Sequence, residues 1–507
     1  LAAPAASEAA AQDREAEQFF AGPVQRFEIT TTRAAAAKLR SKPRESVEVA
    51  VTVGDRRFER VAMHLKGAAG SFRSFDDRPA LTLNFDKFQP GQLAFGLDKL
   101  HLNNSVQDES YLNELIASTL YRRAGVPTAR STFALVTLNG RDLGLYVLKE
   151  GYNARFVRRH FPGQTNGLGN LYDGGFLQDV NQELDRDAGK GPEDRRDLAA
   201  LVKAADQPLA RRAKALEAVL DVDRFLRFLV VQTLTDDWDG YGRNRNNYRV
   251  YCPAGGGRAV FIPHGMDQLF SEAGSSIDPG WAGLVASQAM EVPEFREHYR
   301  QALVQITTNH FTAALMSNQV QQVSARLEQA FQGRPAEEWL RLKGAMRSQQ
   351  SRILRRVASV WRQLGLSGPG VPTLLPVMPE VSEWEPRPRQ GRAVIEVAEP
   401  KPGESALHLG ARSPGTIASF RTRVWLGPGS YTFSAAARAQ GIRGGKGAGL
   451  RISGNQRGAG LSGDRDWTAL RHDFALDSER DVELVVELDA DGGDVWFDHA
   501  SFKLTPR

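Results

Sequence analysis

At 507 residues, with 41% hydrophobic and 25% charged residues, the chain has the make-up of an ordinary soluble globular protein of two to four domains, not of a disordered one. No stretch approaches the roughly 18 apolar residues that span a bilayer, so no transmembrane segment is expected. The formal charge of +5, with 65 Lys and Arg scattered among 60 acids, makes no basic stripe and argues against a nucleic-acid partner. The single cysteine, Cys252, excludes an internal disulfide framework. With no Cys or His partner nearby in sequence, it is expected neither to bind metal nor to act as a nucleophile.

Residues 1–23 are expected to be a flexible segment. Their small-residue opening reads equally as the remnant of a removed export signal, which gives a secreted, periplasmic or cell-surface protein, or as a plain terminus. Residues 24–32 and 46–53 alternate as strands around an Ala-rich helical stretch at 33–40. A strand at 57–65 runs into Lys66-Gly67-Ala-Ala-Gly-Ser, a loop whose backbone can approach a phosphate but whose residues also make ordinary turns. Arg78-Pro79 precedes an alternating strand at 80–85, and 97–102 reads as another. Asn103, Asn104 and Asp108 form a loop and cap ahead of a helix at 110–124, which Gly125 and Pro127 end. Strands at 131–138 and 143–149 flank Asn139-Gly140, the strongest short hairpin signal in the chain. Residues 161–194 are rich in Gly, Asp and Asn and read as a long loop.

Helical spacing returns at 198–218 and 221–234, the second apolar enough to be buried. It leads into a loop with acids at 236, 237 and 239 and amides at 244, 246 and 247. A hairpin of strands 248–251 and 259–262 then delivers Asp267 near that loop. Two carboxylates and an amide converging on one spot suit a hard cation such as magnesium, which takes oxygen ligands and shares them with phosphates. One acid is left for proton work. Asp, Asn and Gly are also turn residues, so spacing alone leaves a plain polar loop open. His264 is expected to hydrogen-bond to backbone rather than to ligate metal. Amphipathic helices at 295–314, 319–331 and 336–364 follow. A Pro-bearing linker at 371–389 precedes short alternating strands over 390–507, the pattern of a β-sandwich. Its Trp425, Trp467 and Trp496 read as core or as sugar-stacking rings, and Asp489, Asp491 and Asp494 as turn residues or calcium ligands.

Six pieces in one order resemble the CotH-type spore-coat protein kinase family. They are Leu-Lys-Gly-Ala-Ala-Gly-Ser (65–71), Gly-Leu-Asp-Lys-Leu-His-Leu-Asn-Asn (96–104), Asp-Glu-Ser-Tyr-Leu-Asn-Glu-Leu (108–115), Asn-Gly-Arg-Asp-Leu-Gly-Leu-Tyr-Val-Leu-Lys-Glu (139–150), the 239–248 stretch and Asp267. The resemblance implies an α+β, divergent protein-kinase-like two-lobed core at 24–370, with lobes at about 24–150 and 151–370. It also implies ATP-dependent phosphorylation of a protein substrate. On that basis Asp239 orients the acceptor hydroxyl, with Asp237 as the alternative. Asn247 and Asp267 hold Mg2+ or Mn2+. Lys66 and Arg78 compete for the nucleotide phosphates, Glu114 pairs with one of them, Gly67 offers backbone to a phosphate, and Glu150 lies by the adenine. The sequence departs from the family at Ala68, where Asn is expected, and at Arg78, where Lys is expected. Those departures keep open a kinase-like adhesion or scaffold protein without activity. The 390–507 region resembles jelly-roll carbohydrate-binding modules, which makes a polysaccharide a possible partner and a carbohydrate-surface protein a third reading.

Overall fold

Between Gln25 and Glu150 the alternating strands close into a seven-stranded barrel. They are β1 (Gln25–Thr31), β2 (Val47–Val53), β3 (Arg56–Lys66), β4 (Ala80–Asn84), β5 (Lys99–Asn103), β6 (Ser131–Leu138) and β7 (Arg141–Glu150). Their order is β1-β2-β3-β4-β5-β7-β6, and a parallel pairing of β1 with β6 closes the ring. Alternation drives this packing: in β2 the four valines are buried and the residues between them are not. At the β6–β7 turn Asn139 and Gly140 both take positive φ, 50° and 78°, which suits the twist of a two-residue hairpin. The kinase-like first lobe implied by the resemblance is therefore a closed barrel, which removes its sheet edges.

This computed structural model describes residues 3–68, 70–162, 167–191, 193–367, 378, 384–399, 405–457, 460–477 and 480–507. The chain divides into two compact units, Leu1–Pro372 and Thr373–Arg507. No helix among the described residues is long and apolar enough to cross a membrane.

The N-terminal residues, expected to be flexible, form helix α1 (Ala3–Ala21) instead. Alanine supplies helix propensity, and Ala16, Phe19 and Phe20, spaced i, i+3 and i+4, bury in the barrel's hydrophobic cluster. Gly96, at φ +75°, permits the approach, because a Cβ there would lie 2.1 Å from the Gln12 carbonyl oxygen. Helix α2 (Arg33–Ser41) starts at Thr32, whose hydroxyl accepts from the Ala35 N–H at 3.1 Å. Helix α3 (Asn113–Arg123) follows β5. The buried Asp108 carboxylate accepts from the Asn113 N–H at its start (2.9 Å).

After the barrel come α4 (Ala154–His160), β8 (Asn170–Asp173), β9 (Asp185–Ala188), α5 (Arg196–Ala205), α6 (Leu209–Val219), α7 (Val222–Leu234), α8 (Tyr241–Asn244), β10 (Tyr248–Cys252) and β11 (Val260–Pro263). The four strands form a sheet in the order β11-β10-β8-β9. The single helix read at 198–218 is two, because Pro208 cannot donate the hydrogen bond that would carry α5 onward. Helix α7 is buried along nearly its whole length and fills the centre of this part. Helices α9 (Leu284–Met290), α10 (Pro293–His310), α11 (Ala313–Ala330) and α12 (Ala336–Gln363) complete the unit.

His160, at the end of α4, carries a pH dependence. Its ring packs 4.5 Å from Phe156, and its Nε2 is enclosed with no hydrogen-bond partner among the described residues. Burial, then the charge of Arg159, lowers its pKa to about 3. The unfolded chain takes up this proton below about pH 6.5, whereas the folded chain resists it down to about 3. Stability therefore falls as pH drops through that window. Between pH 7 and 5, wild type should lose about 2 kcal/mol more than His160→Phe in urea unfolding. Equal losses would remove His160 as the cause.

The C-terminal unit is two sheets. Its strands are β12 (Glu385–Gln390), β13 (Ala393–Ala398), β14 (Ala406–Ala411), β15 (Thr416–Leu426), β16 (Gly429–Arg443), β17 (Gly447–Ile452), β18 (Gly463–Leu476), β19 (Arg480–Ala490), β20 (Gly492–Asp498) and β21 (Lys503–Pro506). One sheet runs β12-β15-β19-β17 and the other β13-β14-β20-β16-β18, with β21 paired to β16. The linker expected over 371–389 ends earlier than that. Trp384 is buried, stacking 4.7 Å from Phe502, and β12 pairs with β15, so burial of one aromatic ring draws these residues into the sandwich. Residues 371–377 and 379–383 lie outside the described residues. Trp496 stacks on His408 at 4.7 Å, and Trp467 is exposed. Asp494 meets His408 and Arg412, and Asp491 accepts from the Gly415 N–H.

Candidate active site

Helix α7 ends at Leu234 and the chain turns into the acid loop. Asp236 takes φ 49°, and its carboxylate accepts from Arg243 Nη1 (2.8 Å), Ser271 Oγ (3.1 Å) and the Glu272 N–H (2.7 Å). It is a clasp between this loop and the segment after Asp267. The Asp239 carboxylate is held by three amides. Asn244 Nδ2 donates to Oδ1 at 2.7 Å, Asn247 Nδ2 to Oδ2 at 2.9 Å, and Asn246 Nδ2 lies 3.2 and 3.1 Å from the two oxygens. With its nitrogen so engaged, Asn247 turns Oδ1 toward Gly265. A Cβ there would lie 2.4 Å from that oxygen, and φ is +59°, so the position requires glycine.

The remaining acids are set by burial. Asp237 is buried, with one long contact to Gln232 Nε2 at 3.5 Å. Burial, then Asp239, Asp267 and Asp236, pushes its pKa well above the carboxylate range. Helix α3 holds the backbone around Asp267: Asn113 Nδ2 donates to the Asp267 carbonyl oxygen at 2.8 Å, and the Met266 N–H donates to Glu114 Oε2 at 3.3 Å. Burial, then the neighbouring Glu114, raises the Asp267 carboxyl to about 7. Glu114 itself pairs with Lys149, Nζ to Oε1 at 2.5 Å, with the side chains only 5% and 1% exposed. Burial opposes the charge on Lys149, but Glu114 and Tyr152 together outweigh it and the pKa rises. Lys66 donates to Asn103 Oδ1 at 2.6 Å, and burial, then Lys149 and Arg249, lowers its pKa to about 7.

These groups fit a hard cation. Asn247 Oδ1 lies against Gly265, two residues before Asp267, and an amide oxygen and a carboxylate are both oxygen donors of the kind magnesium takes. Among the described residues no three His, Cys, Asp or Glu side chains are grouped to hold a metal. A bound ion would therefore need the amide oxygen and a ligand's phosphate oxygens in its shell.

Residues 63–359, more than half of the chain and the part that holds this site, match a family model described as CotH kinase protein. The chain belongs to the CotH kinase protein family. Invasin CotH7 of Rhizopus delemar is 29% identical over 174 residues, 31% of this chain and 28% of the invasin. Inner spore coat protein H of Bacillus subtilis is 20% identical over 250 residues, 46% of this chain and 68% of that protein. The chain thus spans under a third of the invasin's length. Among solved structures, a proinflammatory kinase of Helicobacter pylori, CtkA, aligns over 60% of this chain and 98% of its own, with 11% identity and a TM-score of 0.26.

Within the CotH region the structure sorts the residues singled out from the sequence. Asp237, Asp239, Asn247, Asp267, Glu114 and Lys66 interact directly or electrostatically. Arg78 does not join them. Its guanidinium donates to the Tyr111 hydroxyl and the Leu145 carbonyl and lies 5.1 Å over the Tyr146 ring, as a strut in the barrel wall. Glu150 is next to Lys149 in β7, so strand alternation turns it to the other face, where Arg130 and Arg159 enclose its carboxylate. Gly67, at φ +104°, opens a turn that the Ala68 carbonyl closes by accepting from the Ser71 and Phe72 N–H groups; Ala69 is outside the described residues. The His264 N–H donates to the Asn247 carbonyl at 3.0 Å. Lys149 and Asn113 were not recognised from the sequence. A lysine directly after the apolar run Leu145–Leu148 is the available signal for the first; nothing local marks the second.

Proposed function

We propose that this CotH-family chain is an ATP- and metal-dependent protein kinase that moves the γ-phosphoryl group to a protein hydroxyl. The observation that carries this reading is the buried Lys149–Glu114 pair, whose glutamate also accepts from the backbone N–H beside Asp267. In kinase-type sites such a lysine holds nucleotide phosphates and a glutamate orients it. The acceptor hydroxyl oxygen bonds to the γ-phosphorus as the bond to the bridging oxygen of ADP breaks, and the hydroxyl proton passes to Asp239. Three amides fix that carboxylate's direction. Burial and the neighbouring acids disfavour charge on Asp237, which accepts from Gln232 Nε2 at 3.5 Å, so Asp239 is the preferred proton acceptor of the two. Asn247 and Asp267 would hold Mg2+ or Mn2+, which when bound offsets the phosphate charge. The relatives, a spore coat protein and an invasin by name, support a cell-surface or extracellular setting.

The test is transfer of labelled phosphate from ATP, with magnesium, to the chain itself or a generic protein. Asp239→Asn should lower transfer by about 10²–10⁴ while leaving ATP affinity within about twofold. The amide cage around Asp239 also favours a second reading, a binding or scaffold protein in which this carboxylate only braces the loop. No transfer by wild type, together with a lower melting temperature for Asp239→Asn, would select that reading.

A further inference from the structure

Arg249 of β10 is used on two of its three nitrogens. Nε donates to Asp187 at 2.7 Å and Nη2 to Asp173 at 2.8 Å, and the side chain is 7% exposed. Nη1 is enclosed and has no hydrogen-bond partner among the described residues. An unpaired buried donor on a charged group is costly, so native proteins keep few of them. The two aspartates fix the guanidinium plane, so Nη1 has a set direction. The guanidinium lies 4.3 Å over the Tyr152 ring, and the same ring has Lys149 Nζ at 5.9 Å and the His264 ring edge-on at 5.5 Å. Lys149 Nζ is paired with Glu114 at 2.5 Å, and His264 Nδ1 has no partner among the described residues. Two unpartnered nitrogens, Arg249 Nη1 and His264 Nδ1, and the Glu114-paired ammonium of Lys149 therefore surround one aromatic ring. Arg249 Nη1 lacks an acceptor, and an anion with several acceptor oxygens meets this guanidinium and the Lys149 ammonium at once.

We infer that Arg249 is a second phosphate-binding residue, its Nη1 donating to an oxygen of the nucleotide's phosphate chain alongside Lys149, with Asp173 and Asp187 as its positioning residues. This rests on the kinase reading above. Arginine suits the task because its planar fork can be fixed on two nitrogens and still present the third. Asp173 occupies the end of β8 and Asp187 the middle of β9, so the β10-β8-β9 side of the sheet exists in part to aim this side chain.

The experiment is calorimetric titration of the full chain with ATP, inorganic triphosphate and adenosine, in magnesium. Arg249→Gln should weaken ATP and triphosphate about tenfold to a hundredfold, the loss of one charge-assisted hydrogen bond, and leave adenosine within about twofold. ATP affinity unchanged in Arg249→Gln, or ATP and adenosine falling together, overturns the assignment. A wild type that binds neither ATP nor triphosphate overturns the kinase reading and this inference with it. If Arg249→Gln shows no melting transition, Arg249→Lys takes its place. One ammonium cannot serve both aspartates and a phosphate, so the ATP-over-adenosine preference should still fall about tenfold; an unchanged preference overturns the inference.

Discussion

Lys149→Met should abolish phosphate transfer, by about 10³-fold or more, and destabilise the chain by about 3–5 kcal/mol. Two effects are joined in that result. Removing the lysine leaves Glu114 buried without its partner, which accounts for the stability term. It also removes the cation placed to meet the nucleotide phosphates, which accounts for the loss of transfer. The double substitution Lys149→Met with Glu114→Leu separates them, because an apolar pair of similar size no longer strands a buried charge. It should recover most of the stability and none of the transfer. If transfer returned with stability, Lys149 would be a structural residue and the phosphate-binding role would be lost.

Arg356→Met should cost about 2–4 kcal/mol of stability. Arg356 is completely buried in α12 and donates to four carbonyl oxygens: Leu234 (3.2 Å), Thr233 (2.5 Å), Ala273 (3.0 Å) and Ser275 (2.5 Å). Thr233 and Leu234 are the last residues of α7, where helix carbonyls have no partner within the helix. Ala273 and Ser275 follow the Asp236 clasp at 271–272. One side chain thus joins the end of α7, which leads into the acid loop, to the segment after Asp267. Methionine fills the volume but leaves the Leu234 and Ala273 carbonyls without a donor, at about 1–2 kcal/mol each, while Thr233 keeps the Asp236 N–H and Ser275 keeps Gln363 Nε2. Lysine should not rescue, since three donors on one point cannot reach four spread carbonyls. Urea unfolding measures the loss; a change below about 1 kcal/mol would mean that water replaces the guanidinium.

The barrel shows where local pattern suffices. β2 alternates valines with other residues, and Asn139-Gly140 is the turn its sequence predicts, because side-chain period and turn φ depend on neighbours in the chain. Glu114 was legible as an acid for a cation, but its partner was not. Lys66 and Arg78 were the expected candidates, and Lys149 holds it. Alternation tells which face of a strand a side chain takes; it does not tell which strand lies under a helix packed from elsewhere. Arg78 and Glu150 are engaged away from this cluster, Arg78 by the Tyr111 hydroxyl and Leu145 carbonyl and Glu150 by Arg130 and Arg159, because charged residues near strand ends look alike until their partners are in place.

By itself the sequence determined the family pieces and their order, the strands and hairpins, the acid loop with its amides, and the change to short strands in the C-terminal region. These rest on periodicity, turn chemistry and residue identity, all of which act over a few residues. Only the tertiary structure decided that the first strands close into a barrel, that α1 docks by Phe19 and Phe20, that Trp384 belongs to the sandwich, and that Lys149, Arg249 and Arg356 converge with distant partners. A buried charge is stable only with its counter-group, and that group comes from a segment far away in the chain, so burial and pairing are properties of the folded whole.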